Sequence, residues 1–192
     1  MKGSMLDVEA DKATDRPPAH TLVLGGARSG KSRHAEALAA ACGLTKVYVA
    51  TATAWDEEMR TRIANHRQER AGAGWRTVEE PLALRDTLAR EAGPGRVVLV
   101  DCLTLWLSNL LLGGQDTDAQ TRGLAADMSR LEGAVIFVSN EVGWGIVPDN
   151  ALARAFRDAQ GRLNQAMAQV CEHVVLVAAG LPLVLKPGAG CS

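Results

Sequence analysis

Short apolar runs alternate along the chain with longer stretches whose apolar residues recur at helical spacing. Thr21 to Leu24 is an apolar run ending in glycines, and from Lys31 to Cys42 the positions Ala35, Leu38 and Cys42 keep helical spacing before Gly43. The pattern predicts strand, loop and helix. Val47 to Ala50 is a second apolar run, and Trp55, Met59 and Ile63 recur every four residues through an amphipathic helix predicted over Trp55 to Arg70. Glu79-Glu80-Pro81 carries the marks of a helix start, Pro early and acids near the positive end of the dipole. That helix would run through Leu82, Leu84 and Leu88 and stop at Gly93-Pro94. Val97 to Val100 is wholly apolar, as a buried parallel strand is.

Leu103 to Leu112 reads as a helix closed by Gly113-Gly114, and Gly123 to Glu132 as another, with Thr117 to Arg122 unassigned between them. Val135 to Val138 is the next strand, and Pro148 to Cys171 a long helix with its start near Pro148-Asp149. Val174 to Val177 and an edge strand over Leu183 to Leu185 complete the set. Strands alternating with helices predict an α/β fold, a three-layer sandwich with a mainly parallel sheet and helices on both faces. Ligands then bind at the carboxyl ends of the strands.

Composition adds limits rather than detail. The 192 residues suit one domain, and 47% hydrophobic with 22% charged residues is globular composition. Residues 21–186 are read as a single domain, 1–20 as a flexible lead-in that lacks the apolar segment of a signal peptide, and 187–192 as a flexible tail. A net charge of -1 argues against a nucleic-acid partner and favours a small-molecule substrate. Cys42, Cys102, Cys171 and Cys191 form no Cys-x-x-Cys pair and read as buried or incidental thiols of a reducing, cytoplasmic setting. No run approaches the roughly 18 apolar residues of a membrane span.

The chemistry begins at Gly25-Gly26-Ala27-Arg28-Ser29-Gly30-Lys31-Ser32, which has the Walker A spacing of P-loop NTPases between a predicted strand and a predicted helix. Backbone N–H groups freed by the glycines can encircle phosphates, Lys31 can reach the β and γ phosphates, and Ser32 can ligate Mg²⁺. Asp101 ends the third apolar run, where a second metal ligand belongs; the same position also suits a helix N-cap before Leu103. Asn140-Glu141 follows the fourth predicted strand in the same way, open to a role toward metal, water or substrate hydroxyl, or to a plain loop turn. His66 sits among Arg62, Asn65, Arg67, Glu69 and Arg70. By itself this grouping suits an anion-binding nucleophile or a half-buried histidine on a salt-bridged helix, and the second is the commoner case.

Together the segments GGARSGKSRHAE (Gly25 to Glu36), VYVATA (Val47 to Ala52), DEEMRTRIANHRQER (Asp56 to Arg70), WRTVEEP (Trp75 to Pro81), LVDCLTLWLSNLL (Leu99 to Leu111) and SNEVGWGIVPDNALARAFRDAQGRLNQ (Ser139 to Gln165) resemble one family. It is the bifunctional adenosylcobinamide kinase and adenosylcobinamide-phosphate guanylyltransferase family of cobalamin biosynthesis. The resemblance implies phosphorylation of adenosylcobinamide by ATP or GTP, then transfer of GMP from GTP to adenosylcobinamide phosphate, giving adenosylcobinamide-GDP. It implies a GMP-histidine intermediate at His66, which reverses the weighting of that residue. It also implies nucleotide contacts from Gly25 to Ser32, Ala50, Thr51, Ala52, Arg67, Gln68, Glu69, Arg70, Glu79 and Asp101, with Mg²⁺ on Ser32 and Asp101. Family members are homo-oligomers, specifically trimers. The apolar Trp106, Leu107 and Leu110 to Leu112 would serve an interface or equally a monomer core.

Overall fold

The computed structural model describes residues 20–53 and 72–188. Its strands are β1 (His20–Gly25), β2 (Thr45–Ala50), β3 (Trp75–Glu79), β4 (Arg96–Asp101), β5 (Ala134–Asn140), β6 (His173–Ala178) and β7 (Leu181–Lys186). Its helices are α1 (Lys31–Ala41), α2 (Leu84–Glu91), α3 (Leu103–Leu112), α4 (Thr117–Asp127), followed by a 3-10 turn (Met128–Arg130), and α5 (Ala151–Val170). The strands form one sheet in the order β3-β2-β4-β5-β1-β6-β7, parallel except where β7 returns antiparallel to β6.

Side chains alternate across the central strands, so each strand feeds two cores. Leu22, Val98, Val100, Val135 and Phe137 pack with α3 and α5 through Leu103, Trp106, Leu163 and Met167. Val23, Val97, Leu99, Ile136 and Val138 pack on the opposite face with Ala35 and Ala39 of α1. This is the expected three-layer sandwich, and among the described residues the helix that follows the glycine loop is the one packed against this mostly β-branched row. Trp106, Leu107 and Leu110 are fully buried within the chain, while Leu112 is 61% exposed, so the monomer core accounts for three of the residues offered above for an interface.

Several elements differ from the sequence pattern. Trp75–Glu79, of which the pattern assigned only Glu79, to a helix start, is an edge strand paired with β2, and Trp75 meets Tyr48 edge-on at 5.8 Å. Its two apolar residues, Trp75 and Val78, fall on opposite faces of the strand and pack on different cores, so no alternation marks it among its polar neighbours. The helix after it starts at Leu84, since Glu80 accepts from the N–H groups of Leu82 and Ala83 and spends itself on a turn. α4 begins at Thr117 rather than Gly123, with Asp116 accepting from Ala119 N–H at 2.9 Å as the N-cap. Gly123 lies mid-helix because a Cβ there would fall 2.5 Å from the guanidinium of Arg85, which is tied to Asp127. α5 starts at Ala151, three residues after Pro148, and is capped by Asn150, whose Oδ1 accepts from Ala153 N–H at 2.7 Å. β1 takes in His20, buried with Nε2 2.9 Å from the Met128 carbonyl. The predicted Trp55 to Arg70 helix lies outside the described residues.

Candidate functional site

The glycine loop links the end of β1 to the start of α1. Gly25 has no room for a side chain: a Cβ would sit 2.4 Å from Ser29 Oγ and 2.6 Å from the Val177 carbonyl. Gly30 caps α1 with φ of 97°, a left-handed conformation that an L side chain resists. Arg28 takes φ of 55° without being glycine, so the loop holds local backbone strain. Lys31 lies across the loop, donating from Nζ to the Gly26 carbonyl at 3.1 Å. The β6–β7 turn closes one side, with Gly180 N–H donating to the Ser29 carbonyl at 2.8 Å. Arg28 to Arg33 together with Ala179 and Gly180 enclose an open cleft of about 600 Å³. Three cations and the free N–H groups of the first turn of α1 face it, which is the chemistry of a polyphosphate site. A separate cleft of about 410 Å³ between Arg85, Asp127 and Arg130 contains no residue of the glycine loop.

The other expected contacts lie in a row along the carboxyl edge of the sheet. Asp101 ends β4 and receives the Tyr48 hydroxyl on Oδ2 at 2.5 Å, which fixes the carboxylate on the face of the sheet that carries α1. Thr51 is fully buried just past β2; its hydroxyl donates to the Cys102 carbonyl at 2.7 Å and accepts from Cys102 N–H at 2.9 Å, locking the β2 and β4 exits together. Asn109 of α3 donates from Nδ2 to the carbonyls of Thr51 and Pro81, at 2.8 and 3.1 Å. Ala50 pairs in register with both Asp101 and Glu79. At roughly 4.8 Å per strand, Asp101 lies about 10 Å across the sheet from Gly25 and Glu79 about 19 Å. The described contacts thus divide into the glycine loop with Asp101 and, farther out, Ala50 to Ala52 with Glu79.

β5 separates β4 from β1, and Asn140 at its end pairs with Gly25. Behind it lies a buried polar network. Ser139 Oγ donates to Asn164 Oδ1 at 2.6 Å, Gln160 Nε2 donates to both at 2.9 Å, and Asn164 Nδ2 donates to the Asn140 carbonyl at 3.0 Å. Thr104 Oγ1 accepts from Asn140 N–H at 2.8 Å, and Glu141 N–H donates to the Gly25 carbonyl at 3.1 Å. Tyr48, Asn109, Thr104, Gln160, Asn164 and Gly180 did not stand out in the chain as supports of this edge. Each acts through a partner distant in sequence; only the polar letters of Gln160 and Asn164 on an apolar helix face offered a signal.

Burial pushes the Cys102 thiol up to about 11, with the Asp101 carboxylate adding to it, so this cysteine is no nucleophile. His34, on α1 past the loop, is held below the ordinary histidine range by burial and then by its neighbour His173, which keeps it neutral. His66, Arg67, Gln68, Glu69 and Arg70 lie outside the described residues. Among the described residues no group of three or more His, Cys, Asp or Glu could hold a metal by itself, and no helix is long and apolar enough to cross a membrane.

Solved structures with the same fold include the flagellar accessory protein FlaH from Methanocaldococcus jannaschii (TM-score 0.55, 12% identity, 93% of this chain and 84% of that one). An ATPase of a bacterial type III secretion system aligns with TM-score 0.53 and 11% identity over 86% of this chain and 56% of that one. Among curated proteins, the bifunctional adenosylcobalamin biosynthesis protein CobP of Pseudomonas aeruginosa is 55% identical over 167 residues, 86% of this chain and 96% of its own. The corresponding protein CobU of Escherichia coli is 42% identical over 180 residues, 86% of this chain and 98% of its own. The family model described as cobinamide kinase / cobinamide phosphate guanyltransferase matches residues 21–185, and with these relatives it shows that the chain belongs to that family of enzymes.

Proposed function

We propose that the protein catalyses both reactions of its family on one nucleotide platform: phosphorylation of adenosylcobinamide by ATP or GTP, then guanylylation of adenosylcobinamide phosphate by GTP to give adenosylcobinamide-GDP. The observation that supports this most directly is the glycine loop with Lys31 and Asp101 at one carboxyl edge, in a chain that spans nearly the full length of bifunctional relatives. In the kinase step the loop N–H groups and Lys31 neutralise the β and γ phosphates, with Gly25 to Ser32 as the cradle. Ser32 and Asp101 fit Mg²⁺, which takes one or two protein oxygens and fills its octahedron with phosphates and water. Tyr48 occupies one carboxylate oxygen of Asp101 and leaves the other for the metal. Bound there, Mg²⁺ would neutralise charge on the triphosphate.

In the second step His66 is the nucleophile toward the α-phosphorus of GTP, releasing pyrophosphate and then passing GMP to the corrinoid phosphate. Neutral imidazole is a competent nucleophile and the P–N bond is readily cleaved again. Ala50 to Ala52 and Glu79, on the side of the sheet edge away from the glycine loop, belong to this half of the site, and the family resemblance adds Arg67 to Arg70. The working form is a homo-oligomer, a trimer by the same resemblance. Incubation with α-labelled GTP is the test. Parent protein should acquire acid-labile label, and His66→Ala should lose it while still phosphorylating adenosylcobinamide; label retained by His66→Ala would remove the histidine from its role.

A further inference from the structure

Asn140 has a backbone fixed on every side and a side chain with nothing to do. Its N–H is held by Thr104, its carbonyl by Asn164, and the next residue is tied to the first glycine of the loop. Ser139 turns its side chain to α5, and Ile136 and Val138 turn theirs to α1. The two-residue alternation of the strand therefore sends the Asn140 carboxamide to the α1 face, the face that Asp101 also occupies on the adjacent strand. There Oδ1 is buried without a hydrogen-bond partner, and no described residue bonds Nδ2. A buried orphan acceptor in a folded protein needs an explanation, and a rigid backbone carrying an unengaged amide is what a ligand-contacting residue requires.

The structure assigns Asn140 as a catalytic residue of the kinase step: Oδ1 accepts the hydroxyl of the phosphoryl acceptor while Nδ2 donates to an oxygen of the γ-phosphoryl group. The assignment rests on the kinase reading given above. A carboxamide can hold nucleophile and electrophile at once because it offers one acceptor and two donors on a single plane. The terminal torsion of Asn is broad and twofold, so Oδ1 turns out of its unpartnered position when the hydroxyl arrives. The acceptor oxygen then bonds to the γ-phosphorus as the bond from that phosphorus to the β,γ-bridging oxygen breaks. The nucleoside diphosphate leaves, and the hydroxyl proton passes to a phosphoryl oxygen, since an amide is no base.

The test compares Asn140→Leu and Asn140→Asp with the parent full-length protein, using adenosylcobinamide and ATP, and reads acceptor turnover, triphosphate affinity and labelling by α-labelled GTP. Turnover in Asn140→Leu should fall on the order of 10²-fold or more, with affinity and labelling within about threefold of the parent. Asn140→Asp should be as impaired at alkaline pH, where its carboxylate faces the γ-phosphate, and recover as the pH falls and the protonated carboxyl again supplies both donor and acceptor. A support for folding alone would give no such recovery. Parental turnover in either variant, triphosphate affinity falling in step with turnover, or an Asn140→Asp pH profile parallel to the parent's would overturn the assignment. Should Asn140→Leu not fold, the isosteric Asn140→Asp profile decides alone. Absence of kinase activity in the parent would refute the kinase reading instead.

Discussion

Replacing Asn164 by leucine separates the polar network behind β5 from the packing around it. Asn164 is 6% exposed and its amide engages Ser139, Gln160 and the Asn140 carbonyl. Leucine has nearly the same volume, so the cavity contribution is small and the loss is one of partners. Gln160 keeps its bond to Ser139 Oγ, whereas the Ser139 hydroxyl proton and the Asn140 carbonyl lose theirs inside the protein. Each orphan costs about 1–3 kcal/mol, and burying the new methyl groups returns about 1–2 kcal/mol. The net expectation is a loss of about 1–4 kcal/mol, or roughly 2–16 °C in Tm for a chain of this size. Urea unfolding at neutral pH measures it. The companion variant Ser139→Ala/Gln160→Leu/Asn164→Leu removes the Ser139 orphan while the Asn140 carbonyl stays unpaired, and should regain about 1 kcal/mol or more of the loss, since an apolar cluster of similar shape is close to neutral. Parental stability in Asn164→Leu, or a triple variant less stable than the single one, would refute the reasoning.

Two further outcomes follow from titrating groups. Burial raises Cys102 to about 11 and Cys171 to about 12, so at mildly alkaline pH a disulfide-exchange reagent should leave both unreacted in the folded protein and reach them only in denaturant; rapid reaction of all four thiols in the native state would contradict this. Glu91 is held below the ordinary carboxylate range, first by its hydrogen bond from Arg76 and next by that from Arg90. A depressed carboxylate stabilises the fold above its unfolded pKa of about 4.3 and loses that contribution as the pH falls through the folded value. Glu91→Gln should therefore be less stable than the parent at neutral pH, with the gap closing in acid; a gap independent of pH would show that the ion pairs carry no net stability.

The features legible in the sequence were those in which neighbouring residues carry the signal. The wholly apolar runs at β1, β2, β4, β5 and β6 are buried parallel strands, and the glycine loop is a contiguous motif whose backbone does the work. β3 was not legible, because Trp75-Arg76-Thr77-Val78-Glu79 has neither an apolar run nor a two-residue alternation, and its pairing with β2 is settled by the register of Ala50 with Glu79. The start of α4 was missed for a similar reason: Asp116 caps it, but Gly123 inside looks like a boundary until Arg85 is seen to occupy the space of its side chain. At the site, Asp101 was visible as an acid ending a strand, while Tyr48, which fixes its orientation, is an ordinary strand tyrosine until β2 and β4 are laid side by side.

Under the proposed function one platform has to address two phosphorus atoms, and the order of the strands bears on how it could. β1 and β4 are separated by β5, so the glycine loop and Asp101 flank a position that Asn140 occupies, and all three lie at the end of the sheet where α1 begins. β2 and β3 continue the same edge outward, and a chain leaving at Ala50 to Ala52 starts on the far side of Asp101 from the loop. A triphosphate anchored by its terminal phosphates in the loop would extend along this edge toward that exit. The γ-phosphorus would then lie among Lys31, Asp101 and Asn140, and the α-phosphorus nearer the exit of β2. The two nucleophiles of the proposed function would then act at two places along one nucleotide, with the lateral spacing of the strands giving room between them.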